Sequence, residues 1–354
     1  MATQTIRNIG VLTGGGDCPG LNPVIRAVTR RATQDGITVI GIRNGGKGLV
    51  LSDTVPLDMQ AVSGILHRGG TILGTSRTNP YKQPKDVEHV MANIEALKLD
   101  ALVAVGGEDT LGVATKLAKD GVKVVGVPKT IDNDLSATDF TFGFDTAVNI
   151  AMEALDRLHS TAESHHRIMV AEIMGRHAGW IATYAGIAGG ADIILIPEQP
   201  IDLDEVREVI TKRRARGKEF SIIVVAEGAQ FKDKKLQKQL EDNSTAAKAK
   251  DSFGHVQLGG VGHLLGALIE EQTGQETRVT VLGHLQRGGS PTAFDRVLGT
   301  RFGVHAVELI LKGDFGKMVS LQGNQIVGVP LAKATGALKT VDPELYNVAK
   351  IFFG

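Results

Sequence analysis

Three short apolar runs in the first part of the chain each end in a polar loop that carries acid. This repeated ending constrains the fold more than any other feature. Ile9-Gly-Val-Leu-Thr13 leads into Gly14-Gly-Gly-Asp17, and Leu99-Asp-Ala-Leu-Val-Ala-Val105 into Gly106-Gly-Glu-Asp-Thr110. Val124-Val-Gly-Val127 leads into Pro128-Lys-Thr-Ile-Asp-Asn-Asp134. Runs this short and this rich in branched side chains read as strands buried on both faces. Pro128 has no N–H for a ladder, so the third run ends there. Helical stretches follow, to about Gln34 and to Lys119, and Asp86 to Lys98 has helical character. Strand, glycine loop and helix in alternation predict an α/β fold with mainly parallel sheets flanked by helices. Ligands of such sheets bind beyond the carboxyl ends of the strands. The three polar loops are therefore expected to converge.

Further strands are expected over Thr38–Ile42, Ile168–Ile173, Asp192–Ile196 and Ser221–Ala226, with Val279–Leu282 the last clear one. Ala147–His159 reads as a helix, so a second α/β unit begins after about residue 143. At 354 residues the chain is too long for one ordinary core, and two domains are expected. Asn22 reads as an N-cap with Pro23 at the first helical position. The charged stretch 232–250 lacks apolar periodicity and reads as an excursion, not a site.

Charge narrows the partners. Lys plus Arg and Asp plus Glu are both 39, which argues against a nucleic-acid or polybasic membrane surface. No apolar run approaches the roughly 20 residues that span a bilayer. The first residues lack the apolar core of a signal peptide. Cys18 is the one cysteine, which fits a reducing cytoplasm.

Within the loops, Lys129, Asp132 and Asp134 bring an ammonium and two carboxylates to a strand end. The two acids lie two residues apart, so in an extended segment they point the same way. One of such a pair can take a proton while the other holds a metal or orients a group. Asx-turns would use the same residues. Loop 14–17, between strand and helix, is a natural phosphate cradle. Its spacing matches neither the nucleotide P-loop nor the dinucleotide fingerprint. Arg77 ends a small-residue turn and can reach an anion. His284 and Arg287, three apart on a glycine-rich loop, suit an anionic group. For Arg167, Arg278 and Arg287, each near a strand end, a surface salt bridge is the default. Cys18 reads as packing.

Taken together, Gly14-Gly-Gly-Asp17, Gly106-Gly-Glu-Asp-Thr110, Pro128 to Asp134, Met174-Gly-Arg176 and Gly283-His-Leu-Gln-Arg-Gly-Gly-Ser-Pro291 stand in the order seen in phosphofructokinases. The chain closely resembles that family from Ile9 to about Gly313. The resemblance implies Mg²⁺-dependent phosphoryl transfer to the 1-hydroxyl of fructose 6-phosphate. It makes Asp132 the general base, with Thr130 and Asp134 flanking it on the substrate or the metal-bound phosphoryl. Gly16, Glu108, Asp109, Thr110 and Lys129 then line the donor, and Arg77 holds the transferring phosphate. Met174, Gly175, Arg176 and Glu227 contact the sugar. Arg167, Arg278, His284 and Arg287 surround the 6-phosphate, the first two reaching in from a neighbouring chain, so a homodimer or homotetramer is implied.

Two departures from the ATP-using pattern stand out. Asp109 replaces the last glycine of the usual Gly-Gly-Asp-Gly, and Lys129 replaces the glycine of Pro-Gly-Thr-Ile-Asp. Both look like the pyrophosphate-using branch. Glu108 stands where an Asp is linked to Mg²⁺. The resemblance further implies a donor domain of residues 1–143 and 286–336, and a sugar-phosphate domain of 144–285 and 337–354. Asp53 and His159 stand where the bacterial effector site has arginines, while Arg26, Arg30, Arg216 and Lys218 keep basic places, so effector control is expected to be weak. The competing readings are an ATP-dependent phosphofructokinase and a non-catalytic sugar-phosphate or effector-binding subunit.

Overall fold

The computed structural model describes residues 6–243, Phe253 and 259–354. In chain order the strands are β1 (Asn8–Thr13), β2 (Thr38–Ile42), β3 (Thr54–Leu57), β4 (Ala101–Gly106), β5 (Val124–Pro128), β6 (Ile168–Ile173), β7 (Ile193–Leu195), β8 (Ser221–Ala226), β9 (Thr277–Val281), β10 (Lys317–Gln322) and β11 (Gln325–Pro330). They form two sheets. The larger runs β11-β10-β5-β4-β1-β2-β3 and the smaller β7-β8-β6-β9. All pairs of the smaller sheet are parallel. In the larger one only the edge pairs β2–β3 and β10–β11 are antiparallel. The fold is α/β with mainly parallel sheets flanked by helices, as the alternation predicted.

Register explains why the three loops converge. Thr13 pairs with Val105, and Gly106 with Pro128, so β1, β4 and β5 end level with one another. Gly14 N–H donates to the Val105 carbonyl at 2.9 Å, and Lys129 N–H to that of Gly106 at 3.0 Å. In the smaller sheet Ile173 pairs with Ala226 and Glu172 with Val281, so β6, β8 and β9 also end together.

Helices cover both faces of each sheet. Helix Leu21–Gln34 buries Leu21, Val24, Ile25 and Val28 beside Phe302 and Val307 of helix Ala293–Leu311. On the opposite face Leu111, Ala114 and Leu117 of helix Glu108–Lys119 pack on Leu102 and Ala104. Helix Phe144–His165 joins the sheets, because its Phe144, Ala151 and Leu155 belong to one continuous core with residues of both. Val206 and Ile210, with Leu265 and Ile269, close the far side of the smaller sheet. Among the described residues no helix is long and apolar enough to cross a membrane.

Three local expectations are corrected. Asn22 does not cap its helix. Gly20 does, at φ 111°, and the buried Asn22 amide instead donates to Arg68 O at 3.0 Å while its oxygen accepts from Ile72 N–H at 2.9 Å. Val279–Leu282 is not the last strand, since β10 and β11 follow it and extend the larger sheet. Residues 234–243, read as part of an irregular excursion, form a helix. Leu236 and Leu240, four apart, pack on the core of the smaller sheet. Residues 244–250 of that stretch lie outside the described residues.

Candidate active site

The loops at the ends of β1, β4 and β5 are shaped by what fills the gaps between them. Thr110, in the first turn of helix Glu108–Lys119, sits in a notch between two glycines. A Cβ on Gly14 would lie 2.5 Å from its Oγ1, and one on Gly106 2.3 Å from its Cβ. Thr110 thus packs the strand ends together. A Cβ on Gly16 would lie 2.6 Å from Arg287 Nη1, and that guanidinium donates to the Asp17 carbonyl at 3.3 Å. Lys129 is 4% exposed, and its Nζ donates to the Gly16 carbonyl. Burial lowers its pKa. So Lys129 fastens the 14–17 loop from below. The exposed Arg77 stands on a turn tied to the same loop, where Thr75 Oγ1 donates to Gly15 O at 2.6 Å.

Residues 130–134 bend and do not run extended, and Asn133 takes a left-handed φ of 51°. The expectation that two residues of extended chain aim Asp132 and Asp134 alike is corrected accordingly. The acids are brought together by the bend. Asp132 N–H donates to Thr130 Oγ1 at 3.1 Å, and the Thr130 hydroxyl also bonds the Asp134 carboxylate. Thr141 pins the loop from behind, its Oγ1 donating to Thr130 O at 2.7 Å.

Asp132 Oδ1 is buried with no hydrogen-bond partner. Burial raises the Asp132 pKa, and Arg287, Arg176, Lys129 and His177 oppose the rise. A buried acceptor left open is costly unless an incoming group completes it. Asp134 is pushed up to about 7, first by burial, then by the charge of Asp132 and more weakly by Glu108. Glu227, at the end of β8, is pushed to about 7 by burial and again by Asp132. The strand ends of the two sheets therefore face each other across Asp132.

The 174–179 loop contributes Met174, Gly175 and Arg176. Met174 is buried, and Gly175 has φ 148°. Gly228 N–H donates to Gly175 O at 3.1 Å, and a Cβ on Gly228 would lie 2.0 Å from Arg176 O. This close approach needs glycine, and it sets Arg176 toward Asp132. His284, on the turn after β9, is exposed at the same end.

Arg167 and Arg278 lie elsewhere. Arg278 pairs in register with Met169, at the amino end of the smaller sheet. Five residues of strand, roughly 17 Å, separate that level from the loop bearing Arg176. Both arginines bond Glu276, Arg167 at 2.8 Å, and Arg167 Nε is buried without a partner. Within one chain the four basic residues expected together form two groups. Arg287 and His284 lie at the carboxyl end, Arg167 and Arg278 at the amino end.

Sequence reasoning missed His177, Lys339 and Asp295. His177 adjoins the Met174-Gly-Arg176 motif, and that adjacency was the available signal. Lys339 N–H donates to Asp134 O at 2.9 Å, and burial lowers its side-chain pKa to about 8. Asp295 accepts from Thr146 N–H at 2.9 Å and from its hydroxyl at 2.5 Å, bracing the helix that follows the first crossing between sheets. Neither had a sequence signal. Cys18 is buried and pushed up to about 12 by burial, which suits packing. Among the described residues no group of three His, Cys, Asp or Glu side chains forms a ready-made metal site.

The phosphofructokinase family model matches residues 8–310. The chain is 60% identical to a pyrophosphate–fructose 6-phosphate 1-phosphotransferase of Streptomyces coelicolor, over 98% of this chain and 99% of that protein. It is 52% identical to ATP-dependent 6-phosphofructokinase 3 of the same organism, over 97% and 98%. The phosphofructokinase of Pichia pastoris, solved in the T-state, superposes with TM-score 0.82 at 32% identity, covering 99% of this chain and 37% of that one. This chain belongs to the phosphofructokinase family.

Proposed function

We propose that this chain transfers a phosphoryl group from inorganic pyrophosphate to the 1-hydroxyl of fructose 6-phosphate. The observation that carries the reading is the open, buried Asp132 carboxylate where the donor loops meet the sugar loops. Asp132 accepts the proton of the 1-hydroxyl as its oxygen attacks the distal phosphorus. The bridging P–O bond breaks and orthophosphate leaves. Such transfers depend chiefly on positioning and charge neutralisation. Lys129, Arg77 and the loop at Gly16 serve the donor. Thr130 accepts from the Asp132 backbone N–H and hydrogen-bonds the Asp134 carboxylate, which holds the two acids in place. Met174, Gly175, Arg176 and Glu227 hold the sugar.

Mg²⁺ binds through one or two carboxylates and substrate phosphates, keeping several waters. Asp134 and Glu108, whose charges interact, fit that requirement better than Glu108 alone. When bound, the ion neutralises phosphate charge. The donor is pyrophosphate because Asp109 adds a second carboxylate at a helix N-terminus already carrying Glu108, where a longer polyphosphate would otherwise dock. Relatives at 56–60% identity that are named for pyrophosphate use support this donor. The ATP-dependent relative keeps the alternative in the same assay.

In the same reading residues 1–143 with 286–336 form the donor domain, and 144–285 with 337–354 the sugar-phosphate domain. Arg167 and Arg278 complete the site of a second copy in a cytoplasmic homodimer or homotetramer. The distance of these arginines from Asp132 of their own chain supports it. The deciding experiment supplies Mg²⁺ and fructose 6-phosphate with either pyrophosphate or ATP. Pyrophosphate should sustain turnover, and the reaction should reverse with orthophosphate. Turnover with ATP alone would overturn the donor assignment.

A further inference from the structure

We propose that Phe253 fills the place beside the donor loops that a nucleoside's base would take, and is a specificity-determining residue against nucleotide donors. The inference rests on the pyrophosphate reading above. A narrow apolar slot runs along the larger sheet under helix Glu108–Lys119. Leu12, Leu102 and Ala104 line it from the sheet, and Val113 and Leu117 from the helix. Gly14, Gly46 and Thr110 line it too. Two of these, Gly14 and Thr110, also shape the donor loops. An apolar slot that opens beside a phosphate cradle suits a planar base whose phosphates enter the cradle.

Gly46 cannot close that slot. A Cβ there would lie 2.5 Å from the backbone carbonyl of Thr78, so the position carries no side chain. The half-buried Phe253 completes the lining instead, from a part of the chain far from every other wall. The space that remains is about 20 Å³. That is room for about one water, not for a purine. Filling the slot also removes apolar wall from solvent, which favours the ring staying in place. Asp109 and Lys129 act where phosphates lie, and Phe253 acts where a base would lie. Pyrophosphate has no base and meets only the former.

Adenosine separates the two effects, since it carries a base and no phosphate. Binding of adenosine should be measured by calorimetry for wild type, Phe253→Ala and Phe253→Trp. Emptying the slot should tighten adenosine binding roughly tenfold or more, the scale of one aromatic interaction together with the surface it buries. Phe253→Trp keeps the slot full and should behave as wild type. The kcat/KM for pyrophosphate should stay within about twofold in both variants, a change small beside one tenfold step in transition-state binding. Equal adenosine affinity in all three proteins, including none, would overturn the proposal. So would loss of pyrophosphate turnover in Phe253→Ala, because the ring would then serve the reaction itself. If wild type uses pyrophosphate and adenosine binds no tighter to Phe253→Ala, only this inference fails. If wild type uses ATP alone, the donor reading fails with it.

Discussion

At the carboxyl ends of the sheets Lys129 and the carboxylates around Asp132 are largely buried and held from several sides, whereas at the amino end of the smaller sheet the charged groups are more exposed and share one carboxylate. Lys129 is tied to Gly16, Thr130 to Asp134, and Arg287 to Asp17, all inside one chain. Among the described residues Arg167 and Arg278 both pair with Glu276. Burial makes the first region preorganised, because its low dielectric strengthens each interaction and raises the cost of misplacement. The second region is screened, and ion pairs of its kind contribute little to stability. What it offers is two guanidinium groups that an incoming phosphate can take from Glu276. Under the proposed function the first region serves the chemistry and the second captures the phosphate.

The comparison can be broken most decisively at Asp132. Asp132→Asn should lower kcat by about 10²–10⁴, the usual cost of losing a general base, with the KM for fructose 6-phosphate little changed. A variant with near wild-type turnover would remove Asp132 from the chemistry.

The capture region comes next. Arg167→Ala should lower kcat/KM for fructose 6-phosphate by roughly 10–100-fold, the worth of one charged hydrogen bond. Mixing Arg167→Ala with Asp132→Asn subunits should restore activity above the sum of the two, since each supplies what the other lacks. Sedimentation of a fully active monomer would show that the region serves no neighbour.

A smaller effect is expected at the donor loops. Asp109→Gly with Lys129→Gly should raise the preference for ATP over pyrophosphate by roughly tenfold, about the size of one screened charge repulsion removed. Pyrophosphate turnover should fall too, because Lys129 supports Gly16. Steady-state kinetics with both donors reads the ratio, and an unchanged ratio would separate these residues from donor choice.

Titration distinguishes the regions without changing their shape. Asp134 and Glu227 are pushed to about 7, so the acid limb of kcat/KM should fall near neutrality, with activity lost as pH drops below it. Folding shows the opposite sense. Folded Asp134 keeps its proton up to about pH 7, while in the unfolded chain it loses it near the ordinary value of 3.8. Its contribution to stability therefore falls as pH rises through that window. Asp134→Asn should raise Tm by a few degrees at about pH 8 and change it little at about pH 4. A raised Tm in acid would contradict the burial argument.

The smallest effect is expected from effectors. His159 Nε2 is within 2.7 Å of Gly189 O, and Arg216 donates to Gly354 O at 2.5 Å, so two positions matching the effector site are already engaged. ADP or phosphoenolpyruvate should shift the KM for fructose 6-phosphate by less than the roughly fivefold that marks ordinary coupling. Sigmoidal sugar kinetics relieved by ADP would contradict this.

Much of the scaffold was legible in the residues. Ile168–Ile173 and Ser221–Ala226 are strands at the expected bounds, since continuous branched apolar runs have few other uses. The short edge strands β3 and β11 were not legible. β3 carries Pro56 and is largely half-exposed, so its signal is weak. Helix 234–243 was missed because two leucines, though four apart, are too few among polar residues to mark a buried stripe. Among the candidate residues, Asp132, Asp134 and Lys129 drew notice because they crowd one strand end.

By itself the sequence determined the fold class, the strand ends that carry polar loops and the identity of the acids, because those depend on patterns a few residues long. Only the tertiary structure decided what surrounds them. Arg287 reaches Asp17 across 270 residues of sequence, the Asp132 carboxylate is left open by burial, and Arg167 and Arg278 stand apart from it. Such relations depend on packing between sheets, where the dielectric and the available partners are set by residues distant along the chain.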